Sequence, residues 1–508
     1  MQVSHTRSAL SVSFDEPNLV GSARLVPVME LAAEAGLHQL ANKRLTVPTD
    51  KGANAGAKVA ALVAGMCAGA DSIDDMAVLR HGAMRRVFTG CYAPSTLGSF
   101  LRSFTFGHVR QLDAVASRIL NGLAGRAPLL GSPGAGQFVY VDVDDTIIEV
   151  HGYAKQGSGY GYSGVRGLNA LLATATTDTT APVIVAQRLR KGAANSARGA
   201  GRLVGEALAN LARVRTGPPV LCRFDSAYYG HGPVSAALAG GADVSVTVRM
   251  DPAVKRAIAG IGDTAWRAIE YTDAVFDEAA GTWISKAEVA ETPFTAFSSR
   301  KKSERIAGRL VVRRIPELNR QAGDGQPTLF DTHRFHAFFT TVDPDVLDTV
   351  AADRTHRGHA VIEQVNADLK DSALAHLPSG HFGANSAWLV CTGKSLQPHP
   401  HRRDPRRRGL HQSSHRHHPG QAREHPGPNR LQLPPDPDPP ASGLALATGT
   451  RSALRRHAPA TATGIEIRPP ADTGTTEGTT VEHPRQRGRL LPHAQNRLTR
   501  RFRNHPPA

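Results

Sequence analysis

Three aspartates close an apolar run in Val139-Tyr140-Val141-Asp142-Val143-Asp144-Asp145-Thr146-Ile147-Ile148-Glu149-Val150-His151-Gly152. Apolar and acidic residues alternate and β-branched residues then resume, as in a buried strand that presents carboxylates at a bend. Burying acids on a strand is expensive unless a cation offsets the charge. An acidic hairpin turn has the same composition, so this stretch does not decide by itself. A second acid, Asp225, follows the apolar run Val220-Leu221-Cys222-Arg223-Phe224, at the position where open α/β sheets place ligands. A third, Glu363, lies in Val361-Ile362-Glu363-Gln364-Val365-Asn366-Ala367-Asp368-Leu369-Lys370, where Ile362, Val365 and Leu369 share one helical face. Glu363 and Lys370 are seven apart there, two turns. Taken alone, Glu363 reads as an exposed helix acid. Three carboxylates converging on one point repel, and the usual remedy is divalent metal. Two magnesium ions held this way would activate a water or a 3′-hydroxyl against a phosphodiester.

The elements that must carry these residues follow from composition and periodicity. At 508 residues the chain is long enough for roughly two to four domains. Cys67, Cys91, Cys222 and Cys391 lie far apart without a CxxC pair, which argues against a disulfide scaffold or zinc site and fits a reducing cytoplasm. No apolar run reaches the ~18 residues of a membrane span, and no signal-peptide core opens the chain, so a soluble protein without a membrane partner is expected. The net charge of +16 suggests a nucleic-acid binder, but its distribution matters more. Residues 392–508 hold 20 Lys+Arg against 8 Asp+Glu, leaving 40 against 36 over residues 1–391. Any DNA groove in the body therefore rests on local patterning.

Residues 1–130 read as a helical, DNA-binding region. Val59, Leu62, Val63 and Met66 recur at helical spacing, Asp71 to Asp75 supply a cap for a helix through Met84, and Ser95 to Arg102 would open a recognition helix after a turn at Pro94. A plain helical bundle is the alternative. Past the Gly/Pro/Ser linker at 129–137, strands are expected at 139–150, 168–175, 182–187, 220–224 and 244–248, with helices near 203–214 and 234–239, a mixed α/β core over 137–250. Tyr160 and Tyr162 sit in a glycine-rich loop suited to stacking on bases or to aromatic cross-strand pairs in a hairpin, and Arg188, Arg190 and Lys191 stand beside a turn as phosphate contacts or as a solvated charge run. Short strands over 251–340 read as a separate β-rich insertion, and helices return over 341–391. The stretch 392–508 holds 18 of the 34 prolines, 11 of the 23 histidines and one aromatic, Phe502, a composition that reads as disordered. Histidine runs such as His415-Arg416-His417-His418 would hold metal only on a scaffold the composition does not offer.

Together these segments resemble a DDE transposase of bacterial insertion sequences, closest to the insertion-sequence thirteen-eighty branch. The similar segments are Asp142 to Gly152, Tyr160-Gly161-Tyr162, Arg188 to Gly192, Arg223-Phe224-Asp225-Ser226 and the helix of Glu363, spread over about residues 15–391. The resemblance implies an α/β, ribonuclease H-like mixed sheet interrupted by the β-rich insertion. It implies Asp144, Asp225 and Glu363 as catalytic, metal-ligating acids, with Mg2+ as cofactor in a two-metal site and Mn2+ as a substitute. Asp142 and Asp145 would be supporting acids. It also implies DNA partners, namely the element's own terminal inverted repeats and a target, a homodimer on DNA, and a nucleoid-associated location in the bacterial cytoplasm. The group carries a Tyr-x2-Arg-x3-Glu-x6-Lys signature at the third acid. Here that spacing gives His356, His359, Glu363 and Lys370, so both histidines become DNA-contact candidates beside Lys370, Arg190, Lys191, Tyr160 and Tyr162.

The sequence departs from the group after Cys391, where an apolar packing helix is expected. Thr392-Gly393-Lys394-Ser395 and an Arg/Pro/His-rich run follow instead, as from coding sequence read out of frame, with activity suspect. Two other readings remain. Asp142-Val143-Asp144-Asp145-Thr146 also fits the Asp-x-Asp-x-Thr motif of haloacid-dehalogenase-type phosphatases, with Asp142 as nucleophile, Asp144 as acid/base and Gly262-Asp263-Thr264 as a poor second motif. The chain would otherwise be a non-catalytic DNA-binding remnant.

Overall fold

The computed structural model describes residues 18–131, 137–151, 155–214, 217, 219–277, 282–316 and 333–395. The stretch 392–508, expected to be disordered, lies outside them from residue 396 onward, as does Tyr153.

A single ten-stranded sheet organises these residues. Its strands are β1 (Val139–Glu149), β2 (Gly159–Tyr160), β3 (Arg166–Thr176), β4 (Val183–Lys191), β5 (Val220–Phe224), β6 (Asp243–Thr247), β7 (Arg267–Asp277), β8 (Thr282–Ala296), β9 (Ile306–Pro316) and β10 (His333–Thr340). Strand β1 pairs antiparallel with β3, which pairs antiparallel with β4; on its other side β1 runs parallel to β5, and β5 to β6. The order β4-β3-β1-β5-β6, with β1 central, is the ribonuclease H-like arrangement. Residues 251–340 do not form a separate body. Strand β10 pairs with β6, so β10-β9-β8-β7 prolong the same sheet.

Helices cover both faces. On one lie α1 (Leu25–Glu34), α2 (Leu37–Arg44), α3 (Ala55–Cys67), α4 (Pro94–Arg102) and α5 (Phe106–Ala124). On the other lie α6 (Ala200–Val214), α7 (His231–Ala239) and α8 (Pro252–Ala259); α9 (Thr349–Arg357), α10 (Val361–Lys370) and α11 (Phe382–Ser395) complete the set. The two-residue period of β1 separates two cores. Val139, Val141 and Val143 join Val204, Leu208, Phe224 and Val246, while Ile148, Leu168, Ala170 and Leu172 join Leu62, Phe100, Val115 and Trp388. The N-terminal helices therefore share a core with the sheet. The helix expected from Asp71 to Met84 is a 3-10 turn at Asp74–Arg80 followed by a short helix at Met84–Val87. Helix α4 buries Leu97, Phe100 and Leu101 and leaves Ser95, Thr96 and Arg102 exposed. No helix among the described residues is long and apolar enough to cross a membrane, and the four cysteines are free thiols.

The expected break after Cys391 is not seen. Helix α11 continues through Thr392, Gly393, Lys394 and Ser395, all buried. The fit is tight: a Cβ at Gly393 would lie 2.0 Å from Gln187 Oε1, and Gln187 Nε2 donates to the Val390 carbonyl at 3.2 Å. Burial lowers the Lys394 ammonium to about 8, with Asp113 opposing. Trp388 anchors the helix, fully buried and donating Nε1–H to the Ala373 carbonyl at 2.6 Å. Trp388→Ala is expected to cost about 3–5 kcal/mol, read from the midpoint of urea unfolding.

Candidate active site

Alternation along β1 sends its aspartates two ways. Asp142 and Asp144 share the face under α10, while Asp145 faces the opposite core. Asp145 is buried and accepts from Tyr228 Oη at 2.7 Å, Arg190 Nη2 at 2.9 Å and Asn169 Nδ2. Asp142 is fully buried and accepts from Arg223 twice, Nε to Oδ1 and Nη2 to Oδ2, each at 2.7 Å. The parallel register aligns Asp142 with Arg223, which makes this fork possible. His359 Nδ1 donates to Asp142 Oδ1 at 2.9 Å. Burial alone would raise the Asp142 carboxyl, but Arg223 and His359 outweigh it and hold it below the usual carboxylate range.

Arg223 also seats the helices above it. Its Nη1 donates to the Thr355 carbonyl at 2.8 Å, and its guanidinium carbon stands 4.2 Å from the centre of the Tyr140 ring. A Cβ at Gly358 would lie 2.5 Å from Nη1, so only glycine lets the α9–α10 junction rest on the guanidinium. Beside it His356 stacks on Phe338 at 4.1 Å, with Nδ1 bonded to Ser245 Oγ at 2.8 Å and Nε2 to Thr247 Oγ1 at 2.9 Å. Burial, then His359, Arg223 and Arg313, push the His356 imidazole well below its ordinary value.

Asp144 and Asp225 differ from their neighbours. Neither forms an ion pair among the described residues. Asp144 accepts from Asn366 Nδ2 at 2.8 Å, and Asp225 Oδ1 accepts from Ala227 N at 2.6 Å as the cap of a 3-10 turn. Burial pushes Asp144 up to about 6, and the charges on Asp145 and Asp225 push the same way, against a backbone hydrogen bond and His359. A carboxylate pair of this kind favours a bound cation. Glu363 is exposed on α10. It stands four residues after His359, which reaches Asp142, and three before Asn366, which reaches Asp144. Those spacings put Glu363 on the edge of the helix that faces β1. Among the described residues no three His, Cys, Asp or Glu side chains converge closely enough to hold a metal ion. The structure thus brings Asp144 and Asp225 together and leaves Glu363 outside their contact.

A cleft of about 330 Å³ is lined by Thr146, Glu149, Tyr162, Val165, Lys370 and Leu374. Tyr160 and Tyr162 are 65% and 77% exposed. Lys191 and Lys370 are also exposed. Two expected DNA contacts are corrected. Arg190 is buried, with its donors spent on Asp145, Asn169 and the carbonyls of Asn195, Ser196 and Arg198. His356 has both ring nitrogens engaged inside the fold. Arg188, grouped with them, pairs with Glu206 at 2.5 Å. The phosphatase alternative fails on Asp142, whose two oxygens are held by Arg223 away from solvent. Sequence reading assigned no role to Arg223, Asn169, Tyr228 or Asn366. A lone arginine in Val220-Leu221-Cys222-Arg223-Phe224 and an asparagine three residues after Glu363 were the available signals.

A family model described as the transposase DDE domain matches residues 137–390, half of the chain. The chain is also similar to a solved piggyBac transposase synaptic complex with hairpin DNA, at 9% identity and a TM-score of 0.35, over 72% of this chain and 73% of that one. No curated protein matches it.

Two outcomes follow from the buried network. Arg223→Ala leaves Asp142 buried without its cation and should cost about 3–5 kcal/mol, whereas replacing both by leucine should cost clearly less; urea denaturation separates the two. Because the folded state disfavours the His356 proton, stability is full above the unfolded imidazole value of about 6.5 and falls as pH drops below it. His356→Gln should flatten that part of a Tm–pH profile.

Proposed function

The chain belongs to the transposase DDE domain family, and on that premise we propose that it cuts DNA at the ends of its own element and joins them to a target. One observation carries the site assignment. Of four acids at the heart of the sheet, Asp142 and Asp145 each have an arginine, at 2.7 and 2.9 Å, while Asp144 and Asp225 have none. The paired acids are structural; the unpaired ones are the ligands, with Glu363 as the third. The raised Asp144 carboxyl fits a donor set that gains from a divalent cation.

Mg2+, or Mn2+ in its place, supplies Lewis-acid stabilisation of phosphoryl charge and an activated nucleophile when bound. The chain's own residues do the rest. Asn366 orients Asp144, and the Ala227 amide orients Asp225. His359, held by Asp142 through Nδ1, leaves Nε2 for a DNA phosphate, a contact favoured when the ring is protonated. Lys191 and Lys370 supply phosphate contacts and Tyr160 and Tyr162 stacking surfaces. The DNA is the element's terminal inverted repeats and the target, bound by a homodimer in the bacterial cytoplasm. Residues 1–130 belong to the same DNA-binding assembly.

Magnesium-dependent nicking of labelled element-end DNA tests this. Asp225→Ala and Asp144→Asn should each lose about a hundredfold or more in nicking rate while still binding the DNA. Equal nicking by the unaltered chain and both variants would overturn the assignment. Binding without nicking in all three points to the non-catalytic remnant instead.

A further inference from the structure

The turn between β8 and β9 reads Arg300-Lys301-Lys302-Ser303-Glu304-Arg305, four cations against one acid. Residues 1–391 as a whole carry 40 cations against 36 acids, so this is a strong local excess. All four cations are exposed. The one acid, Glu304, stands 3.4 Å from Arg300, a surface pair that binds its partner weakly. The turn is nonetheless well defined. Arg300 N donates to the Phe297 carbonyl at 2.9 Å, Glu304 N to the Lys301 carbonyl at 2.9 Å and Arg305 Nε to the Arg300 carbonyl at 3.1 Å.

Phe297 opens the turn at φ 59°, in the left-handed region that a bulky side chain rarely adopts. Its ring stacks on Tyr229 at 5.3 Å and meets His231 edge-on at 5.6 Å. Tyr229 lies four residues past Asp225, next to Tyr228, whose hydroxyl holds Asp145 at 2.7 Å. The strained residue thus pins the basic turn to the loop that carries the second acid.

We propose that this turn is a binding site for the phosphate backbone of duplex DNA on the Asp225 side of the active site. Acids alone would repel a polyanion, and four exposed cations on a fixed turn offset that repulsion where the duplex passes. The inference rests on the reading of the site as one that acts on DNA. Phosphate contacts of this sort read no sequence, so they act on any duplex alike.

The test is fluorescence anisotropy with the full chain across a salt series, on a labelled terminal-repeat duplex and on one of scrambled sequence. Replacing Arg300, Lys301, Lys302 and Arg305 together by glutamine should lower the slope of log affinity against log salt by about 3.6 on both duplexes, roughly 0.9 for each phosphate no longer neutralised. The pair Lys301→Gln and Lys302→Gln should lower it by about half as much. Thermal melting indistinguishable from the unaltered chain keeps a folding defect out of the comparison. Binding with an unchanged slope in the fourfold variant overturns the turn and leaves the active site untouched. If the unaltered chain binds neither duplex, the reading of the site falls, and the turn with it.

Discussion

The Asp142–Arg223 pair is the constraint on which the remaining geometry rests. Burying both charges is costly, and the cost is met only by near-ideal geometry, two parallel hydrogen bonds of 2.7 Å with Nη1 donating to the Thr355 carbonyl as well. That geometry exists because β1 and β5 run parallel in a register that sets the two residues side by side. A slip of one residue would point one partner into the opposite core and leave a buried charge unpaired. The pair therefore fixes strand register, and through Thr355, Gly358 and His359 it fixes where the helix of Glu363 begins.

A polar row extends from this pair across the sheet. Arg223 aligns with Ser245 and Ser245 with Thr340, each buried, and His356 sits over Ser245 and Thr247. The row gives the α9–α10 junction a hydrogen-bonded seat in place of an apolar one. Such networks specify position more than they add stability, because every group left unmatched is penalised. Asp144 and Asp225 fall just beyond the row, where no arginine reaches them. The fold thus spends the guanidinium groups of Arg190 and Arg223 on holding the scaffold and leaves Asp144 and Asp225 without an arginine partner.

Local sequence determined much of this. The alternation in Val139 to Glu149, the apolar run ending at Asp225 and the helical face of Ile362, Val365 and Leu369 depend on periodicity and burial, which act over a few residues. They are enough to indicate a mixed α/β sheet and the strands of the insertion, while the choice of Asp144, Asp225 and Glu363 among the acids came from the family resemblance. The role of each charged residue was another matter. Arg190 and Arg223 have the same composition signal as a phosphate contact, and His356 fits the spacing of one. Only the tertiary structure decided that Arg190 locks Asp145, that Arg223 locks Asp142 and that His356 is enclosed, because charge pairing depends on strand register and on segments 81 and 45 residues apart. The same holds for the continuous sheet, where β10 joins β6, and for α11, whose small and polar final turn packs against Gln187 and Met66. Periodicity tells which side of a strand is buried; which partner it meets there is set by the rest of the chain.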